Sequence, residues 1–398
     1  MEKHNLIREI RELKNYLSYS KNIGFFFGAG CSCALGIPNI AQLTDEIEKL
    51  IYTDPSKEHF KIIKDDLKTL TERKINIEDI LNQIRQIRTI TGEKKEKTYL
   101  IDGCSAKTLD INICKNIYKI ISEKETKAKF ENTKKFIAWL SMQNRDFSKE
   151  IFTTNYDLII EKSLEEAQIP YFDGFVGSYE PFFWNESIEI FVNKSDLTQN
   201  WIRLWKLHGS LNWFWKKDIK TNTHKIIRSG KVDNFDVVNN ELVIYPSREK
   251  YDSSRKQPFL AYFDRFKKYL LNGELLFIFT GYSFSDQHIN EIILNCLRQN
   301  NRLFVTVFLF ADIEVENLYK LSSSYLNLSV YGPTKAIING VIGEWDFQEN
   351  DLKPNENYNN YWDKENKKLI IGDYNYLVNF IVSNSGKNEA IEALTNEK

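Results

Sequence analysis

Short apolar runs alternate with amphipathic stretches along this chain. The run IGFFF at residues 23–27 is continuously apolar, which is typical of a strand buried on both faces of a parallel sheet. Further strand-like runs follow at 150–154, 202–207, 241–246, 274–282 and 302–310. Helical stretches at 259–271 and 288–300 separate the later runs. The alternation predicts an α/β fold with a mostly parallel sheet.

Other regions have a helical period. Residues 5–18 carry Leu or Ile at steps of three and four residues, which predicts one amphipathic helix. Residues from about 45 to 148 are charge-rich and predict a helical insertion with exposed surfaces. We therefore expect an N-terminal helix (1–21), an α/β domain that contains the insertion (22–335) and a C-terminal extension (336–398).

The balance of charged residues and the cysteine spacing limit the classes of function that the sequence allows. Lys plus Arg number 54 and Asp plus Glu 55, so the charge does not indicate direct nucleic-acid binding. None of the five cysteines forms a C-x2-C pair, and we expect no metal. The most apolar stretches, 275–282 and 303–311, are too short to cross a bilayer, and the charged N-terminus does not read as a secretory signal. We expect a soluble, cytoplasmic protein.

The loops after the predicted strands hold the candidate chemistry, because ligands bind beyond the carboxyl ends of parallel strands. The first loop is GAGCS at residues 28–32. Gly28 and Gly30 permit a tight turn, and the following helix offers amides to a pyrophosphate. A purely structural turn explains the pattern equally well, and Cys33 stands where the dehydrogenase fingerprint has its third glycine.

Three further loops carry polar side chains. The second loop, TTNYD at 153–157, holds Asn155 and Asp157, which are also favoured helix caps. The third loop, LHGS at 207–210, holds His208, either a structural histidine or a general base.

The fourth loop spans residues 280–290, TGYSFSDQHIN. It contains Gly281 and Ser283, a candidate for bonding a ribose hydroxyl. Ser285 and Asp286 in the same loop are explained as well by helix capping.

In this order the four loops resemble the sirtuin family. The first loop, continued by Gly36-Ile37-Pro38, resembles the signature G-A-G-x-S-x-x-x-G-I-P. The second resembles the Q-N-x-D loop, the third the catalytic-histidine H-G loop and the fourth the G-T-S segment that contacts ribose. The resemblance implies a Rossmann-like fold with helices on both faces of its sheet, and it identifies residues 22–335 as an NAD-binding domain.

Departures from the family pattern distinguish this chain from the deacetylase sirtuins. Deacetylase sirtuins continue G-I-P-D-F-R, whereas this chain has Asn39-Ile40-Ala41. They also carry a four-cysteine zinc ribbon after the histidine, which no cysteine pair here can supply. The chain is closer to sirtuin-like proteins of bacterial antiphage defence, which as a group cleave NAD without an acyl-lysine. Some of these proteins act beside a HerA-type hexameric ATPase and translocase.

The resemblance implies hydrolysis of NAD to ADP-ribose and nicotinamide. It implies catalytic roles for Asn155, which holds water or a ribose hydroxyl, and for His208, the base. Asp157 would orient the nicotinamide carboxamide. The implied NAD-binding residues are Gly28, Ala29, Gly30, Ser32, Pro38, Asp157, Gly281 and Ser283.

Other interpretations of the sequence remain, among which an interaction protein with a vestigial sheet is disfavoured because Asn155 and His208 are both present at the expected loops. One is an NAD-dependent protein deacylase or ADP-ribosyltransferase, and another is a non-catalytic sensor of NAD or ADP-ribose. Because NAD depletion is toxic, we also expect activity to be controlled by assembly, as a homo-oligomer and with a HerA-type ATPase as a candidate partner.

Overall fold

The computed structural model describes residues 2–144, 148–189, 201–217, 224–230, 241–244, 257–354 and 356–396. The strands are β1 (Glu2–Asn5), β2 (Ile23–Phe27), β3 (Thr98–Tyr99), β4 (Ile101–Asp102), β5 (Lys149–Thr153), β6 (Tyr171–Phe172), β7 (Phe175–Val176), β8 (Phe182–Phe183), β9 (Ile202–Lys206), β10 (Gly209–Lys217), β11 (His224–Arg228), β12 (Glu241–Ile244), β13 (Leu275–Thr280), β14 (Leu303–Phe308), β15 (Leu328–Tyr331), β16 (Lys335–Ile338), β17 (Val341–Asp346), β18 (Trp362–Asp363) and β19 (Lys368–Leu369).

The helices are α1 (Leu6–Tyr19), α2 (Ala29–Cys33), α3 (Ile40–Ile51), α4 (Lys57–Leu70), α5 (Ile77–Thr91), α6 (Gly103–Glu125), α7 (Glu131–Ser141), α8 (Ile159–Glu166), α9 (Glu186–Glu189), α10 (Phe259–Leu270), α11 (Gln287–Gln299), α12 (Asp312–Ser322), α13 (Tyr374–Ser383) and α14 (Asn388–Asn396). Within the described ranges, none of these helices has the length and apolarity needed to span a lipid bilayer.

A ten-stranded sheet forms the centre of the fold, in the order β1-β17-β16-β15-β14-β13-β2-β5-β9-β6. Its neighbouring strands run parallel except at β15–β16 and β16–β17. The predicted α/β class with a mostly parallel, Rossmann-like sheet is therefore confirmed. Strands β2, β5, β9 and β13 lie together in the sheet, so the loops that follow them meet at one edge.

Strand β2 shows why a continuous apolar run was needed. Phe25 and Phe27 join the apolar cluster on one face of the sheet, while Phe26 joins the cluster on the other face. All five residues of this strand are buried. Successive side chains of a strand point to opposite faces, so a sheet covered on both sides requires apolar residues at every position.

Different helices cover the two faces. Residues of α1, α7 and α13 contribute to the cluster around Phe25, whereas residues of α10, α11 and α12 contribute to the cluster around Phe26. Helices on both faces of the sheet are what the resemblance to the sirtuin family implied.

Helices α3 to α6 form a separate apolar cluster. Their buried isoleucines and leucines face one another, and α5 packs on α6. Helix α7 lies within the span predicted for the insertion, but it packs on α8, α13 and α14 beside the sheet. The helical insertion is thus present as a bundle, while the domain boundaries stay a prediction.

The position of strand β12 contradicts one expectation from the sequence. We counted residues 241–246 among the strands of the parallel sheet, but β12 lies in a second, antiparallel sheet of order β12-β10-β11-β8-β7. Residues 245 and 246 lie outside the described residues. A short apolar run carries no information about which sheet it joins, so periodicity could not separate the two placements.

The chain ends also extend the central sheet. Strand β1, which the helical period of the N-terminus did not predict, pairs parallel with β17. Helix α1 then begins with Asn5 as its cap, since the Asn5 side chain accepts from the Arg8 amide at 2.9 Å.

Candidate functional site

The four loops meet at one cavity of about 870 Å³ between the central sheet, the second sheet and the helical insertion. This volume falls within the range of roughly 300–1,000 Å³ that is usual for small-molecule sites. Among the predicted site residues, those that line the cavity are Ala29, Ser32, Pro38, Asn155, Asp157, His208, Gly281 and Ser283.

Gly28 and Gly30 do not line the cavity but pack behind it against the fourth loop. A Cβ on Gly28 would lie 2.3 Å from the carbonyl oxygen of Gly281, and one on Gly30 would lie 2.7 Å from the Cα of Gly281. Gly281 has a positive φ of 64°, which favours glycine. The three glycines therefore let two backbones approach more closely than side chains would permit.

Backbone hydrogen bonds hold the first loop in place. The Gly28 amide donates to Thr280 O at 3.0 Å, the Gly30 amide to Gly281 O at 2.8 Å and the Cys31 amide to Gly28 O at 3.1 Å. We expected amides of this turn to be available to a pyrophosphate. These three amides instead have partners within the protein, so a phosphate role for Gly28 and Gly30 stays a prediction that requires some of these bonds to exchange.

Asn155, Ser32 and Asp157 form one hydrogen-bonded group. The Asn155 Nδ2 donates to Ser32 Oγ at 2.8 Å and to Gly28 O at 3.0 Å. Ser32 Oγ in turn donates to Asp157 Oδ2 at 2.6 Å. Because an amide nitrogen has two N–H groups, both donors of Asn155 are engaged, and its Oδ1 is the atom of this amide that can accept from a ligand.

Asp157 combines a hydrogen bond to the first residue of α8 with a place in the cavity wall. Its Oδ1 accepts from the Ile159 amide at 3.2 Å, at the start of α8, and its Oδ2 accepts from Ser32. Each carboxylate oxygen has two lone pairs, so further acceptor capacity remains. The two interpretations of this residue are therefore compatible.

Buried Lys206 joins the second loop to the third. Its Nζ donates to Asp157 O at 2.5 Å and to Ser210 Oγ at 3.0 Å, and it forms an ion pair with Glu161 at 2.8 Å. A buried ammonium is stable only when it is paired and hydrogen-bonded. These contacts fix the backbone on both sides of His208 relative to Asn155.

His208 is buried, with 8% of its surface exposed, and it faces Asp286. The distance from His208 Nε2 to Asp286 Oδ2 is 3.1 Å. Burial alone would raise the pKa of Asp286, but the hydrogen bond and charge of His208 lower it below its ordinary value. An ionised carboxylate only accepts a hydrogen bond, so Nε2 is the donor in this contact.

Asp286 also caps α11 through its Oδ1, which accepts from the His288 amide at 2.9 Å. We predicted the cap from sequence and missed the contact with His208. The signal was present, because Asp286 lies in a loop that follows a strand of the parallel sheet. Position alone could not show that its second oxygen reaches another loop.

The helical insertion contributes a second wall. Glu78, at the start of α5, lines the cavity, and Tyr156 of the second loop donates its hydroxyl to Glu78 Oε1. Burial raises the pKa of Glu78, against a lowering by the charge of His208. Sequence reasoning gave the insertion no part in the site, since its residues lie far from the loops along the chain.

Deeper in the insertion, Asp110 pairs with two arginines that line the cavity. Its Oδ2 lies 3.3 Å from Arg85 Nε and 2.6 Å from Arg88 Nη1. Burial alone would raise the pKa of Asp110, but the charges of Arg85 and Arg88 lower it. Arg85 also donates to Ile244 O at 3.1 Å, which joins the insertion to the second sheet.

One part of the cavity wall is apolar. Trp215 of β10 lies in the lining together with Phe259 and Phe263 of α10. Such a surface suits a flat ring or a hydrocarbon chain.

In the part of the chain that the structure describes, no group of three or more His, Cys, Asp or Glu side chains is arranged to hold a metal ion.

These features describe a class of protein: an α/β fold whose candidate site lies at the carboxyl ends of parallel strands. Residues 149–325 match the family described as SIR2-like domain. This matched segment is therefore similar to that family. It begins at β5 and includes the second, third and fourth loops, while the first loop lies outside it.

Comparison with solved structures gives a distant similarity. A complex of Sir2Tm with a propionylated peptide matches with 15% sequence identity and a TM-score of 0.32, covering 75% of this chain and 85% of that chain. No curated protein matches the chain.

Proposed function

We propose that this protein is an NAD glycohydrolase that converts NAD and water to ADP-ribose and nicotinamide. The observation that carries the proposal is that Asn155 and His208 line one cavity with six of the predicted NAD-binding residues. The SIR2-like match over residues 149–325 supports an NAD-related function for this cavity.

The reaction breaks the bond between ribose C1′ and the nicotinamide nitrogen, and the electron pair leaves with nicotinamide. Water forms the new bond to C1′ and loses one proton. In the proposal His208 accepts that proton, directly or through a ribose hydroxyl, and Asp286 holds its imidazole ring. A positioned general base contributes roughly two to four powers of ten in rate.

The second loop would orient the reactants. Asn155 Oδ1 would accept from the water or a ribose hydroxyl, since Ser32 and Gly28 hold its Nδ2. Asp157 would accept from the nicotinamide carboxamide with the lone pairs that Ser32 and Ile159 leave. Ser283, which is exposed at the cavity, would contact the adenosine ribose.

We further propose a role in bacterial antiphage defence through NAD depletion in the cytoplasm. This part rests on the motif resemblance, as does control by homo-oligomer formation and by a HerA-type ATPase. Control by assembly fits a toxic activity that must stay low until it is needed.

A deacylase is the second candidate, and the apolar wall formed by Trp215, Phe259 and Phe263 favours it, since an acyl chain would fit there. The two functions differ in their requirements. A deacylase needs an acylated peptide for turnover, whereas a glycohydrolase releases nicotinamide from NAD and water alone.

The test is nicotinamide release from NAD by the purified chain, with and without acyl-peptide. We expect release without peptide and at least a hundredfold loss in Asn155→Ala and in His208→Ala, with both variants still folded, as a cooperative thermal transition would show. His59→Ala, on α4 outside the cavity lining, is the matched control and retains full activity. Wild-type rates in both cavity variants would refute the catalytic assignment, and turnover only with acyl-peptide would favour the deacylase.

A further inference from the structure

Glu78 lies in the cavity in a position that the proposed mechanism does not use. It is the second residue of α5, after Ile77 and the cap Asn76. The Asn76 side chain accepts from the amides of Glu78 and Asp79 at 2.9 Å and 3.0 Å. This capping fixes the first turn of the helix and so places the Glu78 side chain in the cavity wall.

The second loop holds the carboxylate of Glu78 from the other side. Tyr156, between Asn155 and Asp157 in sequence, donates its hydroxyl to Glu78 Oε1. The Tyr156 carbonyl oxygen accepts from the Leu211 amide at 3.0 Å, so this tyrosine is itself anchored. A carboxylate of the insertion is thereby attached to the loop that carries the proposed catalytic amide.

The charged groups around Glu78 belong to the same site. Burial raises the pKa of Glu78 above its ordinary value, and the charges of Asp286 and Asp79 act in the same direction, whereas the charge of His208 and the hydrogen bond from Tyr156 lower it. His208 thus lies within electrostatic range of two carboxylates: Asp286, to which it is hydrogen-bonded, and Glu78. Asp79, in contrast, is paired with Arg73 at 2.5 Å.

We propose that Glu78 is a further catalytic residue, a carboxylate supplied by the helical insertion that stabilises positive charge on the ribose as nicotinamide leaves. The inference rests on the proposed glycohydrolase function. As the bond breaks, positive charge moves from the pyridinium ring to C1′. A fixed carboxylate near C1′ then stabilises the transition state more than bound NAD.

Two variants separate this charge from a merely structural contact. Glu78→Gln removes the charge but keeps an oxygen that accepts the Tyr156 hydroxyl. Tyr156→Phe removes the hydrogen bond but keeps the carboxylate. Glu48→Gln is the matched control, because Glu48 accepts a tyrosine hydroxyl, that of Tyr52, at 2.9 Å within the insertion and outside the cavity lining.

The experiment measures kcat and KM for NAD cleavage together with melting temperature. We expect Glu78→Gln to lose about 10- to 100-fold in kcat, with KM changed less than about threefold and melting unchanged. Tyr156→Phe should lose less kcat than Glu78→Gln, and Glu48→Gln should match the wild type in kcat and KM.

Three results would overturn the inference. Glu78→Gln could keep more than about a third of the wild-type kcat, or it could lose activity only in step with its melting temperature. Alternatively, Tyr156→Phe could be the more damaged variant, which indicates an anchor rather than a charge. In each case the wild type still cleaves NAD and the glycohydrolase proposal stands. A wild type that releases no nicotinamide overturns both proposals.

Discussion

The cavity has two walls that are held in different ways. The sheet wall consists of the loops after β2, β5, β9 and β13, and backbone hydrogen bonds and close glycine contacts fix its first and fourth loops. The insertion wall consists of the cavity-lining residues of α3, α5 and α6, among which Glu78, Asp79, Arg85, Arg88 and Asp110 are charged. We therefore expect an added side-chain atom at a glycine contact to disturb the sheet wall, and the removal of a charged group to disturb the insertion wall.

The two walls therefore have different roles in the candidate site. Buried parallel strands place loop backbones accurately, and a rigid frame is what a catalytic geometry requires. The insertion instead presents charged side chains, and its buried ion pairs join residues of different helices.

The largest effect is expected in the sheet wall for Gly281→Ala. Its Cβ would lie 2.4 Å from the Cys31 amide nitrogen and 2.8 Å from the carbonyl carbon of Gly30, both backbone atoms. We expect a loss of more than about 4 kcal/mol in the free energy of unfolding, measured by chemical denaturation.

Gly36→Ala is the control for this substitution. Gly36 also has a positive φ, of 91°, but nothing lies within 4 Å of its added Cβ. The backbone strain alone should cost about 1–2 kcal/mol. Equal losses in the two variants would show that the close contact between the loops contributes nothing.

A smaller effect is expected in the insertion wall for Asp110→Asn. The change leaves Arg85 and Arg88 without their shared carboxylate, and breaking a buried ion pair costs about 3 kcal/mol. The loss should appear at neutral pH in the free energy of unfolding.

The pH dependence checks the cause of that loss. Because the folded state lowers the pKa of Asp110, its stabilising effect is present above the unfolded value of about 3.9 and is lost as pH falls through the folded value. The difference between wild type and Asp110→Asn should therefore be constant from pH 7 to about pH 5 and shrink below about pH 4. A difference that persists at low pH would point to packing instead of charge.

The smallest effect is expected on the outer surface of the insertion, for Lys74→Ala. Lys74 pairs with Asp45 at 3.6 Å, and both side chains are more than half exposed. Exposed pairs contribute about 0.2–1 kcal/mol and are screened by salt. Denaturation at low and high ionic strength should show a loss at the bottom of this range that vanishes at high salt. A loss comparable to that of Asp110→Asn would contradict the distinction between buried and exposed charge.

The sequence analysis succeeded where the signal was local. The run 23–27 became β2 with the same bounds, and the helical stretches 259–271 and 288–300 became α10 and α11 within a residue of their ends. The analysis failed where partners had to be chosen, as with β12 in the second sheet and β1 beside β17. Strand pairing depends on contacts between distant segments. The hydrophobic period within one segment does not predict which segment it pairs with.

For the candidate site, the sequence by itself determined which residue types follow each buried strand: glycines after β2 and β13, an amide and a carboxylate after β5, and a histidine after β9. Only the tertiary structure decided that Gly281 fills the space beside Gly28, that Asp286 reaches His208 and that Glu78 enters the cavity from the insertion. The physical reason is that strand ends are local features of the chain, whereas a cavity is formed by whichever distant surfaces the packing brings together.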